Sequence, residues 1–481
     1  MSSLPLRGTP SPLRRSPSGD ALLNQRWPWV LMAIAVGAIL GVGIGVGGVA
    51  LGVGICLLPI GLAVVLRPDW LPAALAVTVF AESASVGGLS VSRAAGPLAL
   101  ALLMLQIRPR SPVSFARLDK PLAISITLYI LWACASSLWT VNLDPSLAEG
   151  GTGFAVTSLL LSAVYLVAVS GLVRTEQHVF RLIVVIWALS AVMGLIALGE
   201  FARGSERAVG VSGDANFFAS LQIVAIPVGA VLAGYVRNGL QRAVVLLGVG
   251  IAVGSVIVSL SRGGILALAA LTIMLAMQPA RGFFRTRARK RMFLGVMTVG
   301  AALLLTLSYS ALSARTSSLF NTADGGSGRT NLWRAAATGI HEYPVFGLGY
   351  GAFENRSNDL MRESPGVDFS AYKLRSTGQP VHNAYLESWV ELGPLGIGLF
   401  IGMLVFTFRA FRRTAKIADE EDGSDLIGGV ARALQLSLVG FALTSILLST
   451  ETDRTLWLMM GLALTLPRIA TATTAPGRRS T

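Results

Sequence analysis

A chain of 481 residues has room for several soluble domains, but 53% of its residues are hydrophobic and only 13% are charged, a composition suited to lipid. The formal net charge of +14 comes from short basic clusters set between apolar runs. It lacks the aromatic-interleaved basic face of a nucleic-acid binder, so no nucleic-acid partner is expected. Cys56 and Cys134 both lie inside apolar runs, which argues against a disulfide framework or a cysteine metal site.

In chain order, residues 1–26 are rich in Pro, Ser and Arg, lead to no convincing cleavage site, and are expected to form a disordered cytoplasmic tail. Apolar runs long enough to cross a bilayer as helices follow almost to the C-terminus. The predicted fold class is therefore all-α: a polytopic transmembrane helical bundle. Spans are expected at about 27–47, 49–66, 70–88, 94–107, 121–139, 153–173, 178–201, 217–236, 243–260, 263–280, 292–312, 383–408, 427–450 and 456–470. Glu82 and Gly87-Gly88 interrupt the region before residue 107, so a total of twelve or thirteen spans stays open beside fourteen. The expected organisation is a tail (1–26), an N-terminal bundle (27–312), a long loop containing short helices (313–381), C-terminal helices (382–470) and a second cytoplasmic tail (471–481).

Orientation follows from Lys and Arg, which stay preferentially in the cytoplasm. One set of alternate connections carries about 25 of them and the other about 12, most of the latter in the long loop. Both termini are thus expected in the cytoplasm, with residues 202–216 and 313–381 on the outer side. Trp27, Trp29, Trp70, Trp139 and Trp457 fall near the proposed interfaces, where amphipathic rings are favoured. The glycine run from Gly41 to Gly48 lacks a surrounding βαβ unit and reads as close helix packing.

Several polar residues on the outer side call for an explanation. Gly213-Asp-Ala-Asn216-Phe217 opens a span and reads either as a helix cap or as a substrate contact through Asn216. Arg262, in Ser-Leu-Ser-Arg-Gly-Gly, is either a snorkelling interfacial arginine or an anion clamp whose glycines permit close approach. In the long loop a glycine turn precedes a predicted short helix over about 329–341, stopped at Pro344. Arg329 would occupy its first turn, as a solvated side chain or as an anion ligand aided by exposed N–H groups. Gly347-Leu-Gly-Tyr-Gly-Ala-Phe reads as a flexible turn, and residues 354–381 as a polar stretch.

Of the three histidines, His382 stands where the loop re-enters the membrane. It is either an ordinary interfacial residue or a base able to take a proton from a hydroxyl. Glu387 and Glu391 lie one turn apart beyond it, where pairing with outer arginines is the expected role.

These pieces in this order, Gly213 to Ala219, Ser261-Arg262-Gly263-Gly264, Gly328-Arg329 with Trp333 and Pro344 to Gly349, then His382-Asn383, resemble the O-antigen ligase and polymerase superfamily. The similarity runs over roughly residues 120–460 and is strongest from 210 to 400. The resemblance implies a membrane glycosyltransferase that moves a glycan from a polyprenyl (undecaprenyl) pyrophosphate to an acceptor hydroxyl on a lipid, another glycan or a protein. It also implies an inner (cytoplasmic) membrane location with the site on the extracytoplasmic face. It places the donor pyrophosphate on Arg262 and Arg329 and the catalytic role on His382, with Asn216, Asn383 and Tyr385 as candidate substrate contacts. No cofactor is expected. Arginines can balance a pyrophosphate leaving group without a metal, and a single displacement would invert the anomeric centre. The alternative from another class is a transporter or flippase for lipid-linked glycans, which would favour charges near the midplane and internal repeats.

Overall fold

The computed structural model describes residues 70–80, 85–86, 89–90, 118–141, 151–210, 212–310, 328–367, 378–420 and 424–474, with a few isolated positions between them. The expected spans at 27–47, 49–66 and 94–107, the N-terminal tail and most of the C-terminal tail lie outside these residues.

The described chain is an assembly of helices: α1 (Leu71–Phe80), α2 (Lys120–Ala135), α3 (Thr152–Leu172), α4 (Glu176–Ala202), α5 (Ala215–Tyr235), α6 (Gly239–Val258), α7 (Arg262–Met277), α8 (Arg287–Leu307), α9 (Arg329–Glu342), α10 (Ala352–Glu363), α11 (Ala384–Glu420), α12 (Asp425–Thr444) and α13 (Arg454–Thr474). Among the described residues nine helices are long and apolar enough to cross a membrane, and α7 is a shorter apolar one. Each span expected from residue 121 onward has its helix. The span expected over 70–88 is corrected: its helix ends at Phe80, and Ser85–Val86 pairs antiparallel with Leu89–Ser90.

Helix starts follow local chemistry. Asp119, Thr175, Asp214, Asn238, Ser261, Thr286 and Ser424 each accept a backbone N–H at the helix they precede. Helix α5 is apolar on every side and sits at the centre, with 94% of its most apolar window buried. It packs against α4, α6, α7 and α12. Short connections force antiparallel neighbours, so the bundle has two ends. One gathers residues 203–214, Leu260 and Ser261, the region of α9 and α10, His382 and 448–453. The other gathers 173–175, 236–238 and 278–286.

The turn expected over Gly347–Phe353 is docked against α11, and its last two residues open α10. The backbone N–H groups of Leu348 and Gly349 donate to the carbonyls of Val390 (2.9 Å) and Glu391 (2.8 Å), and Val141 N–H donates to Leu348 (2.9 Å). Gly347 has φ 72° and its missing Cβ would strike the Glu391 backbone, so here glycine serves close approach as well as backbone freedom. Gly347→Ala is expected to destabilise the fold by about 1–3 kcal/mol, read as a lowered unfolding temperature of the detergent-purified protein. The polar stretch from 354 onward also turned out to contain structure, because α10 occupies its first part. The Trp457 ring is fully buried, and its Nε1 donates to the Glu451 carbonyl at 2.8 Å.

Candidate active site at one end of the bundle

The first functional element is the 203–214 connection. Glu200 accepts the N–H groups of Val209 (2.9 Å) and Gly210 (3.0 Å), and Ala208 N–H donates to Val258. These bonds hold half-buried Arg207 over the α6–α7 junction, where it donates to the Ser259 carbonyl and to Asn216 Oδ1, each at 3.4 Å. Asp214 caps α5 through the N–H groups of Asn216 and Phe217, both at 2.8 Å. That leaves the Asn216 side chain for other partners: Ser261 Oγ also donates to its Oδ1, at 2.9 Å. Asn216 thus ties Arg207 to the residue immediately before Arg262.

Arg262 begins α7, with Ser261 as its cap. Arg329 begins α9, after Gly328 with φ 76°. The expected short helix is present and runs through Glu342. Burial lowers the pKa of Arg207, the charges of Arg329 and Arg262 lower it further, and Asp214 opposes them. Arg262 and Arg329, from widely separated parts of the sequence, therefore each lie within electrostatic reach of Arg207. Arginine keeps its proton under such pressure, and guanidinium groups are suited to binding an anion.

The second functional element is the entry to α11. His382 has φ 55°, a left-handed backbone rare outside glycine and worth about 1 kcal/mol or more of strain. Its N–H donates to Ser449 Oγ at 3.2 Å, and the Ser449 hydroxyl in turn donates to Glu387. Ala384 N–H donates to the Leu448 carbonyl at 2.9 Å. Asn383 Oδ1 caps α11 by accepting from Tyr385 and Leu386 N–H groups at 3.0 and 3.1 Å, and the Tyr385 hydroxyl donates to the Ala442 carbonyl at 2.9 Å. Asn383 and Tyr385 thus hold the platform on which His382 stands. Leu447, next to Leu448, has its side chain 3.2 Å from where a Cβ on Gly263, the residue after Arg262, would be.

The pairing expected for Glu387 and Glu391 takes another form. Glu391 accepts the N–H groups of Gly351 (2.9 Å) and Phe353 (3.2 Å), capping α10, and Glu387 binds Ser449. Helix α11 is broken just beyond, at Gly393, with φ 67° before Pro394.

The sequence reading missed Arg207 and the segment Glu451 to Arg454. Glu451, Asp453 and Arg454 are all buried, and Arg454 Nη1 donates to Ser162 Oγ at 2.9 Å. The available signal was three ionisable residues inside a connection of a few residues between two apolar spans. Burial pushes the Glu451 carboxyl up to about 8, opposed by backbone hydrogen bonds and reinforced by Glu391. The folded protein therefore keeps a proton that the unfolded chain releases near 4.5. This group's contribution to stability is full below that value and is lost as pH rises towards 8. The unfolding temperature should fall between pH 5 and 8, and Glu451→Gln should flatten that slope; an unchanged slope would assign it to other groups.

A helical membrane protein with clustered arginines and a constrained histidine at one end of its bundle is the class that the fold and site define. Residues 243–401, a stretch that contains Arg262, Arg329 and His382, match the family model described as O-antigen ligase, which supports the O-antigen ligase and polymerase superfamily. No curated protein matches the chain. Together the match and the apolar helices support a multi-pass membrane glycosyltransferase of the O-antigen ligase or polymerase type, with a lipid-linked glycan as the substrate class.

Proposed function

We propose that the chain transfers a glycan from a polyprenyl (undecaprenyl) pyrophosphate to an acceptor hydroxyl on the extracytoplasmic face of the inner membrane. The observation that carries this reading is that Arg262 and Arg329 both act electrostatically on Arg207, at the same end of the bundle as His382. Guanidinium forks match phosphate oxygens and balance the charge that grows on a pyrophosphate leaving group. In this mechanism Arg262 and Arg329 grip the pyrophosphate, with Arg207 adding to the field, so no divalent ion is needed. The acceptor oxygen attacks the anomeric carbon and the bond from that carbon to the pyrophosphate oxygen breaks. The bonding pair leaves with the pyrophosphate, and the acceptor proton passes to the His382 imidazole. One displacement inverts the anomeric centre.

Asn216 positions Arg207 and Ser261, while Asn383 and Tyr385 fix the helix start behind His382; substrate contact by these three is part of the proposal. The facing of the site is supported by charge. The opposite end holds Arg174, Arg237, Arg242, Arg285, Arg287, Arg289 and Lys290, as a cytoplasmic end would.

Because Ser449 holds the His382 N–H, Ser449→Ala should lower kcat by about tenfold with donor KM little changed. A rise in KM alone would move Ser449 from positioning the base to binding the donor. Proteoliposomes loaded with a polyprenyl-pyrophosphate glycan separate transfer from transport. The reading predicts a new glycosidic bond on an added acceptor. Movement of intact donor between leaflets without bond formation would establish the transporter instead.

A further inference from the structure

At the end of the bundle away from His382, the start of α2 and the last turns of α11 and α13 border an open cavity of about 440 Å³. Lys120, Arg413 and Arg468 line it against a single carboxylate, Asp119, and Pro121 and Ile417 supply apolar wall. Asp119 accepts the Leu122 N–H as the cap of α2, and its ion pair with Arg413 is long, at 3.8 Å. Arg468 donates to the Val173 carbonyl at 3.3 Å, which fixes its guanidinium near the cavity. Positive charge here exceeds what the local carboxylate can balance.

Two of the helices that border the cavity also expose apolar side chains along their length. On α2, Lys120 is followed at helical spacing by Ile124, Leu128 and Leu131, which are 58%, 48% and 59% exposed. On the neighbouring α11, Ile401 and Val405 are exposed as well. The two helices are joined by Ser125 Oγ donating to the Leu399 carbonyl at 3.4 Å and by the tilted contact of Tyr129 with Phe400. Apolar rows that run from the bilayer interior to a cationic pocket at its edge match a molecule with hydrocarbon chains and an anionic head.

We propose that this cavity binds the phosphodiester head of an anionic glycerophospholipid, with its acyl chains lying along the exposed rows of α2 and α11. Basic pockets between helices at a membrane edge recognise such heads by charge and hydrogen bonding, while the rows exclude water from the chains. The site is separate from the arginine and histidine cluster and does not depend on the transfer reaction.

Native mass spectrometry of the full purified chain, titrated separately with phosphatidylglycerol, phosphatidylcholine and inorganic phosphate, tests this. Phosphatidylglycerol should be retained in preference to phosphatidylcholine. Lys120→Gln should weaken it by roughly fivefold, and Arg413→Gln with Arg468→Gln by roughly twentyfold. Lys120 is exposed, so its variant keeps the test valid if the double variant fails to fold. Equal retention by the wild type and Lys120→Gln, or of the two lipids, would overturn the proposal. So would inorganic phosphate binding that displaces the lipid at equal concentration, which would mark a free-anion site.

Discussion

His382→Ala is expected to abolish glycan transfer, a loss of roughly a hundredfold to ten-thousandfold, while the protein still inserts and purifies as the wild type does. Two features make this the largest single effect in the site. The imidazole is the proposed acceptor of the hydroxyl proton, and no other histidine can replace it: His178 lies at the opposite end, bonded near the α3–α4 connection, and His341 is exposed at the end of α9. The left-handed backbone at His382 is held by Ser449 and by the N–H of Ala384 on Leu448, so truncating the ring should leave the platform intact. A fully active variant would remove His382 from the chemistry.

Lysine at Arg262 or Arg329 should lower transfer about tenfold to a hundredfold, although charge is conserved. A point charge on a flexible stem cannot reproduce a planar fork on two phosphate oxygens. The two positions differ in surroundings. Arg262 is fixed through Ser261 and Asn216 to the centre of the bundle, whereas Arg329 sits on α9, which packs against α10 and α11. Asn216→Ala should therefore copy part of the Arg262→Lys defect and leave that of Arg329 untouched. Steady-state measurements with varied donor check both, and unchanged activity in both lysine variants would refute pyrophosphate binding by these forks.

The fold was readable in the sequence where one rule dominated. Long apolar runs specified the helices from residue 121 onward, and Gly328 and Pro344 bracketed α9 as expected. Arg262, Arg329 and His382 stood out because ionisable residues at the ends of apolar runs require partners or a function. What stayed hidden depended on contacts between distant segments. Arg207 looked like one of several charges in its loop until Asn216 and Ser261 connected it to Arg262. Glu391 looked like a partner for an arginine, but its oxygens take the N–H groups at the start of α10, a helix that polar residues 354–363 did not announce by hydrophobic pattern. The glycines from 347 to 351 gave a composition signal for a turn, yet only the backbone of Val390 and Glu391 shows that the turn is docked.

The central claim is that this end of the bundle breaks a glycan–pyrophosphate bond and makes a glycosidic one. Incubating the purified protein with a polyprenyl-pyrophosphate oligosaccharide and a panel of lipid, glycan and peptide acceptors, then weighing all products by mass spectrometry, tests it directly. The account predicts an acceptor heavier by one oligosaccharide with equimolar release of polyprenyl pyrophosphate, and no such product from His382→Ala. Intact donor with every acceptor in the panel, from protein shown to bind that donor, would contradict it.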